Sequence, residues 1–175
     1  MNYFELYDLA PEFELDLADL SARYQRLQQL THPDKFATAS DAQKRVAMQK
    51  NAQINDAFQV LKSPLMRAEH MLTLRGIELR HDQTTMQDGG FLMQQMEWRE
   101  QLDDIRASRD SHALELLQDE VTAELKRRHQ LLAEFLHDNT QDSNLRAGAE
   151  IAKLKFLVKL NTQLDDLYDQ FSEDL

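Results

Sequence analysis

Cysteine is absent, which excludes disulfide frameworks, thiolate metal sites and cysteine nucleophiles and suits a reducing compartment. Glycine and proline are scarce, 4 and 3 in 175 residues, leaving little turn material for a sandwich or barrel. With 42% hydrophobic residues, the composition predicts an all-α chain of long helices with few connections. Positive charge is the sign in short supply: 20 Lys and Arg face 31 Asp and Glu, a formal net charge of −11. That balance argues against nucleic acid as a partner. No apolar run approaches the roughly 18 to 20 residues a spanning helix needs, so no membrane partner is expected. The first twenty residues carry Glu5, Asp8, Glu12, Glu14, Asp16 and Asp19 and no base, the reverse of a signal or transit peptide. A cytoplasmic protein is the expectation.

Acid is unevenly spread, with 9 basic and 10 acidic side chains in residues 1–75 against 11 and 21 in 76–175. Three of the four glycines fall between Gly76 and Gly90, where helical periodicity lapses, so the expected organisation is a module over 1–75, a linker over 76–89 and a module over 90–175. In the first, Leu17, Leu20, Tyr24 and Leu27 recur at three and four behind Asp16, an N-cap acceptor, predicting a helix over 17–31. Ala47, Ile54, Ala57, Phe58 and Leu61 predict another over 41–61. Ser63-Pro64 then starts a helix that turns Leu65, Ala68, Met71 and Leu72 inward and ends at Gly76. The second module reads as three helices, near 90–108, 112–138 and 143–172. Leu117, Val121, Leu125, Leu132 and Leu136 on the middle one, and Leu157, Leu160, Leu164, Leu167 and Phe171 on the last, form seams suited to a three-helix bundle.

The loop between the first two predicted helices reads Thr31-His32-Pro33-Asp34-Lys35-Phe36. Pro33 lacks an amide hydrogen and disfavours helix at His32, so the helix must stop there. A His-Pro-Asp tripeptide alone is no more than a turn signal. Arg23 and Arg26, however, project roughly opposite the apolar stripe, and Leu30 points outward beside them, giving a basic face in an acidic protein. With Tyr3-Phe4-Glu5-Leu6-Tyr7 ahead of it, Arg23-Tyr24-Gln25-Arg26-Leu27 leading into it and Ile54-Asn55-Asp56-Ala57-Phe58-Gln59-Val60-Leu61 after it, this module resembles a J-domain. The resemblance implies a helical hairpin with flanking short helices that docks on a DnaK-type chaperone and stimulates its ATPase. His32, Pro33 and Asp34 would be indispensable, and Arg23, Arg26 and Lys35 would meet the chaperone. Gln25, Gln28 and Gln29 dilute the usual basic helix and Thr31 replaces the usual aromatic, which suggests a dedicated chaperone.

In the helix after the linker, Phe91, Trp98, Leu102 and Ile105 share one stripe, the predicted core face. Leu92, Met93 and Met96 fall outside it, interleaved with Glu97, Glu100 and Asp104: an apolar patch with an acidic rim, the mark of a partner surface. A J-domain joined to a small acidic helical module, together with the strings Phe91-Leu92-Met93-Gln94-Gln95-Met96-Glu97, Lys153-Leu154-Lys155-Phe156-Leu157 and Pro64-Leu65-Met66-Arg67-Ala68-Glu69, is similar to the HscB-type iron–sulfur co-chaperones, a branch of the J-domain family. That resemblance implies that Leu92, Met93, Met96, Phe156, Glu97, Glu100 and Asp104 bind the cluster scaffold IscU, and that the specialised chaperone HscA receives it. By spacing alone Phe156, one position off the Leu157 seam, reads equally as core. No Gly/Phe-rich linker or cysteine-rich zinc module follows the J-domain, and no cysteine-bearing N-terminal extension precedes it, which points to a bacterial, iron–sulfur type.

Two rival readings remain at this level. One assigns the second module to dimerisation or to binding unfolded clients instead. Alternatively, Glu78 with His81 and Glu134 with His137 have the Glu-x-x-His spacing of a di-iron bundle, but the first pair lies in the expected linker and the second at a helix end. No phosphate loop or nucleophile–base order is present, so neither enzyme, metal nor cofactor is expected.

Overall fold

The structure, a computed structural model, describes residues 1–79 and 88–174. Among them are seven α-helices and no strand. The chain divides into two compact units, Met1–Gly76 and Ile77–Leu175. Most of the linker expected over 76–89 lies outside the described residues.

In the first unit, α1 (Tyr3–Leu6) is a single turn closed by a capping box between Asn2 and Glu5. The next helix, α2 (Leu17–Thr31), starts at the Asp16 carboxylate, which accepts from the amides of Ala18 and Asp19. After a 3₁₀ turn (Pro33–Phe36), α3 (Asp41–Lys62) runs back antiparallel to α2. Tyr24 and Gln28 meet Asn55 through hydrogen bonds and Tyr24 stacks on Phe58 at 4.2 Å, while Thr31 lies beside Asn51. Ser63 and Pro64 open α4 (Pro64–Leu74), and Gly76 follows it at φ 77°, a left-handed position that suits glycine.

The core of this unit is Phe4, Tyr7, Phe13, Leu20, Ile54, Ala57, Leu61, Ala68, Met71 and Leu72. Two polar groups lock it. The Tyr7 hydroxyl donates to the Ile54 carbonyl at 2.8 Å, and burial raises its pKa. Arg67, 4% exposed, donates from Nε to the Phe13 carbonyl (2.7 Å) and from a terminal nitrogen to the Leu61 carbonyl (2.6 Å). His70 Nε2 accepts from the Tyr3 amide, and burial lowers its pKa, so it stays neutral in this role.

Three expectations need correction here. Leu17, at the first position of α2, is half exposed, so the inward stripe starts at Leu20. Leu65 is only half-buried, and the buried place on that turn of α4 belongs to Arg67. Arg23 is not on an open face: its wheel angle puts it at the flank of the stripe. There its guanidinium donates to the Tyr7 and Asp8 carbonyls, freed where the chain leaves α1 with Asp8 at φ 54°, and pairs with Asp19 at 2.9 Å.

The second unit holds α5 (Gly89–Ser108), α6 (Ser111–Asp138) and α7 (Gln141–Glu173). Aspartate and threonine N-caps start them at Asp88, Asp110 and Thr140, and left-handed Arg109 and Asn139 end the first two. The expected bundle is present. Phe91, Trp98, Leu102 and Ile105 of α5 meet Leu114, Leu117 and Val121 of α6 and Leu157, Leu160, Leu164 and Leu167 of α7 in one apolar cluster. Phe171 and Leu125 pack at its edge rather than inside it. Beyond α5, the two longer helices continue as a hairpin through Leu132, Leu136, Ala147, Ile151 and Leu154. Gly148 faces Leu79 there, and a Cβ at 148 would stand 3.3 Å from Leu79 Cδ2.

Candidate functional site

Pro33 fixes where α2 stops and how the loop begins: His32 adopts φ −60° and ψ 134°, the extended geometry the residue before proline favours. His32 then becomes the N-cap of the 3₁₀ turn, its Nδ1 accepting from the Asp34 amide at 3.2 Å. The Asp34 carboxylate stands 3.5 Å from the same nitrogen, and the Lys35 amide bonds back to the His32 carbonyl at 3.1 Å. The tripeptide is a tight turn whose polar groups are mutually oriented yet open: the side chains of His32 and Asp34 are 54% and 93% exposed. Pro33, Lys35 and Arg26 are exposed too. Arg23 stands apart as the side chain that ties α1 to α2.

On the second unit the apolar patch is exposed as the wheel required, with Leu92 43%, Met93 66% and Met96 65% accessible. Glu97, Glu100 and Asp104 are exposed around it. Phe156 is half-buried: its ring stacks on Trp98 (6.1 Å) and meets Phe91 edge-on (5.9 Å), while Arg99 covers it at 5.5 Å. It is therefore neither a pure core residue nor a free surface one, and it anchors the patch to the cluster beneath.

A polar network that sequence reasoning missed holds the start of α5. The Asp88 carboxylate accepts from the Phe91 amide (3.0 Å) and from Lys153 Nζ (2.6 Å). Lys153 also faces Glu150 at 3.7 Å, Glu150 pairs with Arg128 at 3.0 Å, and Arg128 pairs with Glu124 at 2.7 Å. Both cations lie over the Phe91 ring. The signal was in the sequence as opposite charges three and four apart, Glu124 with Arg128 and Glu150 with Lys153. The Lys153 hydrogen bond, helped by the Phe91 amide, holds the Asp88 carboxyl below its ordinary value. A lowered folded pKa contributes stability that is complete above the unfolded pKa and lost as pH falls through the folded one. Asn caps as well as Asp, so Asp88→Asn can keep the bond from the Phe91 amide while removing the charge and the oxygen that accepts from Lys153. The melting-temperature advantage of the wild type over Asp88→Asn is expected to be full at neutral pH and to shrink as pH falls below 3.8, measured by circular dichroism.

Glu134 and His137 both face solvent near the end of α6, and His81 lies outside the described residues. Among the described residues no three His, Asp or Glu side chains gather as metal ligands, and no helix is long and apolar enough to cross a membrane.

A helical hairpin closed by an exposed His-Pro-Asp turn, packed on short flanking helices and followed by a separate three-helix unit, defines a J-protein. Residues 87–165 match a family model described as the HSCB C-terminal oligomerisation domain. A relative from Pseudoalteromonas atlantica named co-chaperone protein HscB homolog is 56% identical, the alignment covering 99% of both chains. The solved chaperone HscB from Vibrio cholerae is 45% identical with a TM-score of 0.90, covering 97% of this chain and 99% of its own. Human co-chaperone HscB is 28% identical with a TM-score of 0.85, covering 94% and 81%. The chain belongs to the HscB co-chaperone family.

Proposed function

We propose that this protein is a co-chaperone of iron–sulfur cluster assembly that binds the cluster scaffold IscU through its second unit, delivers it to the DnaK-type chaperone HscA, and stimulates that chaperone's ATPase through the His32-Pro33-Asp34 turn. Family membership supports the co-chaperone role. The observation that carries the scaffold-binding part is the exposure of Leu92, Met93 and Met96 on a helix whose opposite face is fully packed. Three large apolar side chains on one exposed face are worth covering with a partner, because each buries apolar area on association.

Arg26 and Lys35 beside the turn would supply charge steering toward an acidic chaperone surface, and Arg23 would act by holding α1 against α2. Glu97, Glu100, Asp104 and Phe156 would frame the scaffold contact. The test is to mix the purified protein with folded IscU and measure the stoichiometry and mass of the complex. A one-to-one complex supports the reading. Self-association without scaffold binding, or equal binding of unfolded chains, favours instead a second unit that dimerises or takes unfolded clients.

A further inference from the structure

The face of the second unit between α5 and α7 reverses the charge balance of the chain. It is a cleft of about 330 Å³ with Leu102, Phe156 and Leu160 in its floor and Arg99, Arg106 and Lys159 along its sides. Asp103 is the one carboxylate lining it, and it faces Arg106 at 3.6 Å. Among the described residues no acid pairs with Lys159, and Arg99 lies over the Phe156 ring rather than beside a carboxylate. In a chain with 31 acidic side chains against 20 basic ones, a lining of three cations and a single acid makes this cleft locally basic.

The register joins this cleft to the apolar patch. Leu92, Met96, Arg99, Asp103 and Arg106 are spaced four, three, four and three, which places them on one flank of α5. Phe156, Lys159 and Gln163 follow the same spacing on α7. The α5 flank is apolar at its first end and basic at its second, over about 21 Å at 1.5 Å per residue. Phe156 borders both parts. An extended segment of about six residues, at roughly 3.3 Å each, spans that length.

We propose that the cleft receives an acidic segment of the same scaffold whose apolar surface covers Leu92, Met93 and Met96, with its carboxylates at Lys159, which has no acid of its own among the described residues, and at Arg106, whose contact with Asp103 is long and solvent-exposed enough to be shared. This rests on the scaffold-binding reading above and adds the partner's charge pattern and orientation to it. Glu97 and Asp104 lie on the opposite flank of α5, so the patch sits between an acidic rim and a basic one. A scaffold docked the wrong way round would bring like charges together at both rims, which selects one orientation.

The experiment measures the affinity of the full-length protein for folded IscU at low and moderate ionic strength, for the wild type, R106E/K159E, Lys159→Glu, Lys126→Glu and L92A/M93A/M96A. Lys126 is exposed on α6 and makes the same charge change away from the cleft. Support is a loss of about tenfold or more for R106E/K159E at low salt, a smaller loss for Lys159→Glu, a flattened salt dependence for both, and wild-type binding by Lys126→Glu, with melting temperatures unchanged. Wild-type affinity of R106E/K159E while L92A/M93A/M96A loses binding overturns the cleft proposal and leaves the patch reading standing. Equal losses for Lys126→Glu and Lys159→Glu overturn it as well, since the effect is then net charge. Undiminished binding by both the alanine and the reversal variants overturns the scaffold reading itself, and the cleft proposal with it.

Discussion

Replacing His32 with Gln is expected to abolish stimulation of the chaperone's ATPase while leaving helical circular dichroism, melting temperature and scaffold binding unchanged. The imidazole is about half exposed and is not part of the buried core, so its loss opens no buried cavity. Its side-chain hydrogen bond among the described residues is Nδ1 accepting from the Asp34 amide across two residues, worth about 0.5 to 1.5 kcal/mol in an exposed turn, and a Gln side-chain oxygen can supply part of it. Pro33 still stops α2 and still sets the extended backbone at position 32. What Gln lacks is a rigid ring held by the turn with its Nε2 side open to a partner. Single-turnover ATP hydrolysis by HscA, with and without the variant, reads the outcome. Stimulation at the wild-type level would remove the turn from the mechanism, whereas a variant that melts much earlier would show that the histidine is structural.

Local chemistry was the legible part of this fold. Helix starts at Asp16, Ser63-Pro64 and Asp41, and the left-handed residue at Gly76, depend on a few adjacent residues, and the helix bounds lie within a residue or two of those read from spacing. The long seams of α6 and α7 were legible because several turns of consistent periodicity on each helix leave one way to pack. Contacts that join distant segments were not legible. Arg67 looks like a surface residue by type, and only the approach of Phe13, 54 positions away, makes its burial intelligible. Arg23 was read as exposed although its wheel angle puts it only at the flank of the stripe, and a wheel says nothing of carbonyls arriving from α1.

The candidate site divides in the same way. The exposure of Leu92, Met93 and Met96 followed from the angle between them and the Trp98 stripe, since a helix with one buried face must show the other. Phe156 sits one position off its seam, and periodicity alone left it between core and surface. Its ring bridges the two, stacked on Trp98 and reachable beside the patch. The Asp88–Lys153 tie was hidden because its partners are 65 residues apart, although each half has a local reason to exist.

Truncating Leu92, Met93 and Met96 together to Ala is expected to lower scaffold affinity by 100-fold or more while hardly moving the melting temperature. Burying one such side chain in an interface is worth about 1 to 2 kcal/mol at roughly 25 cal/mol per Å² of apolar area. Every 1.4 kcal/mol or so is tenfold in affinity, and interface truncations are not additive, so two decades is a lower expectation than the sum of the three. Stability responds differently because these side chains are 43 to 66% exposed and lie outside the apolar cluster of the bundle. Alanine is also the best helix former, which offsets the few contacts that Leu92 loses. Trp98→Ala, by contrast, empties the centre of that cluster and is expected to cost about 3 to 5 kcal/mol, lowering melting sharply. Calorimetric titration against IscU and thermal melts of the two variants separate the cases. Early melting with retained scaffold binding in the triple variant would place the patch in the packing of the bundle and end its role as a docking face. Early melting in Trp98→Ala alone, with lost binding in the triple variant, leaves that face as the scaffold contact, and stimulation of the chaperone without scaffold should persist because the His32 turn lies on the other unit.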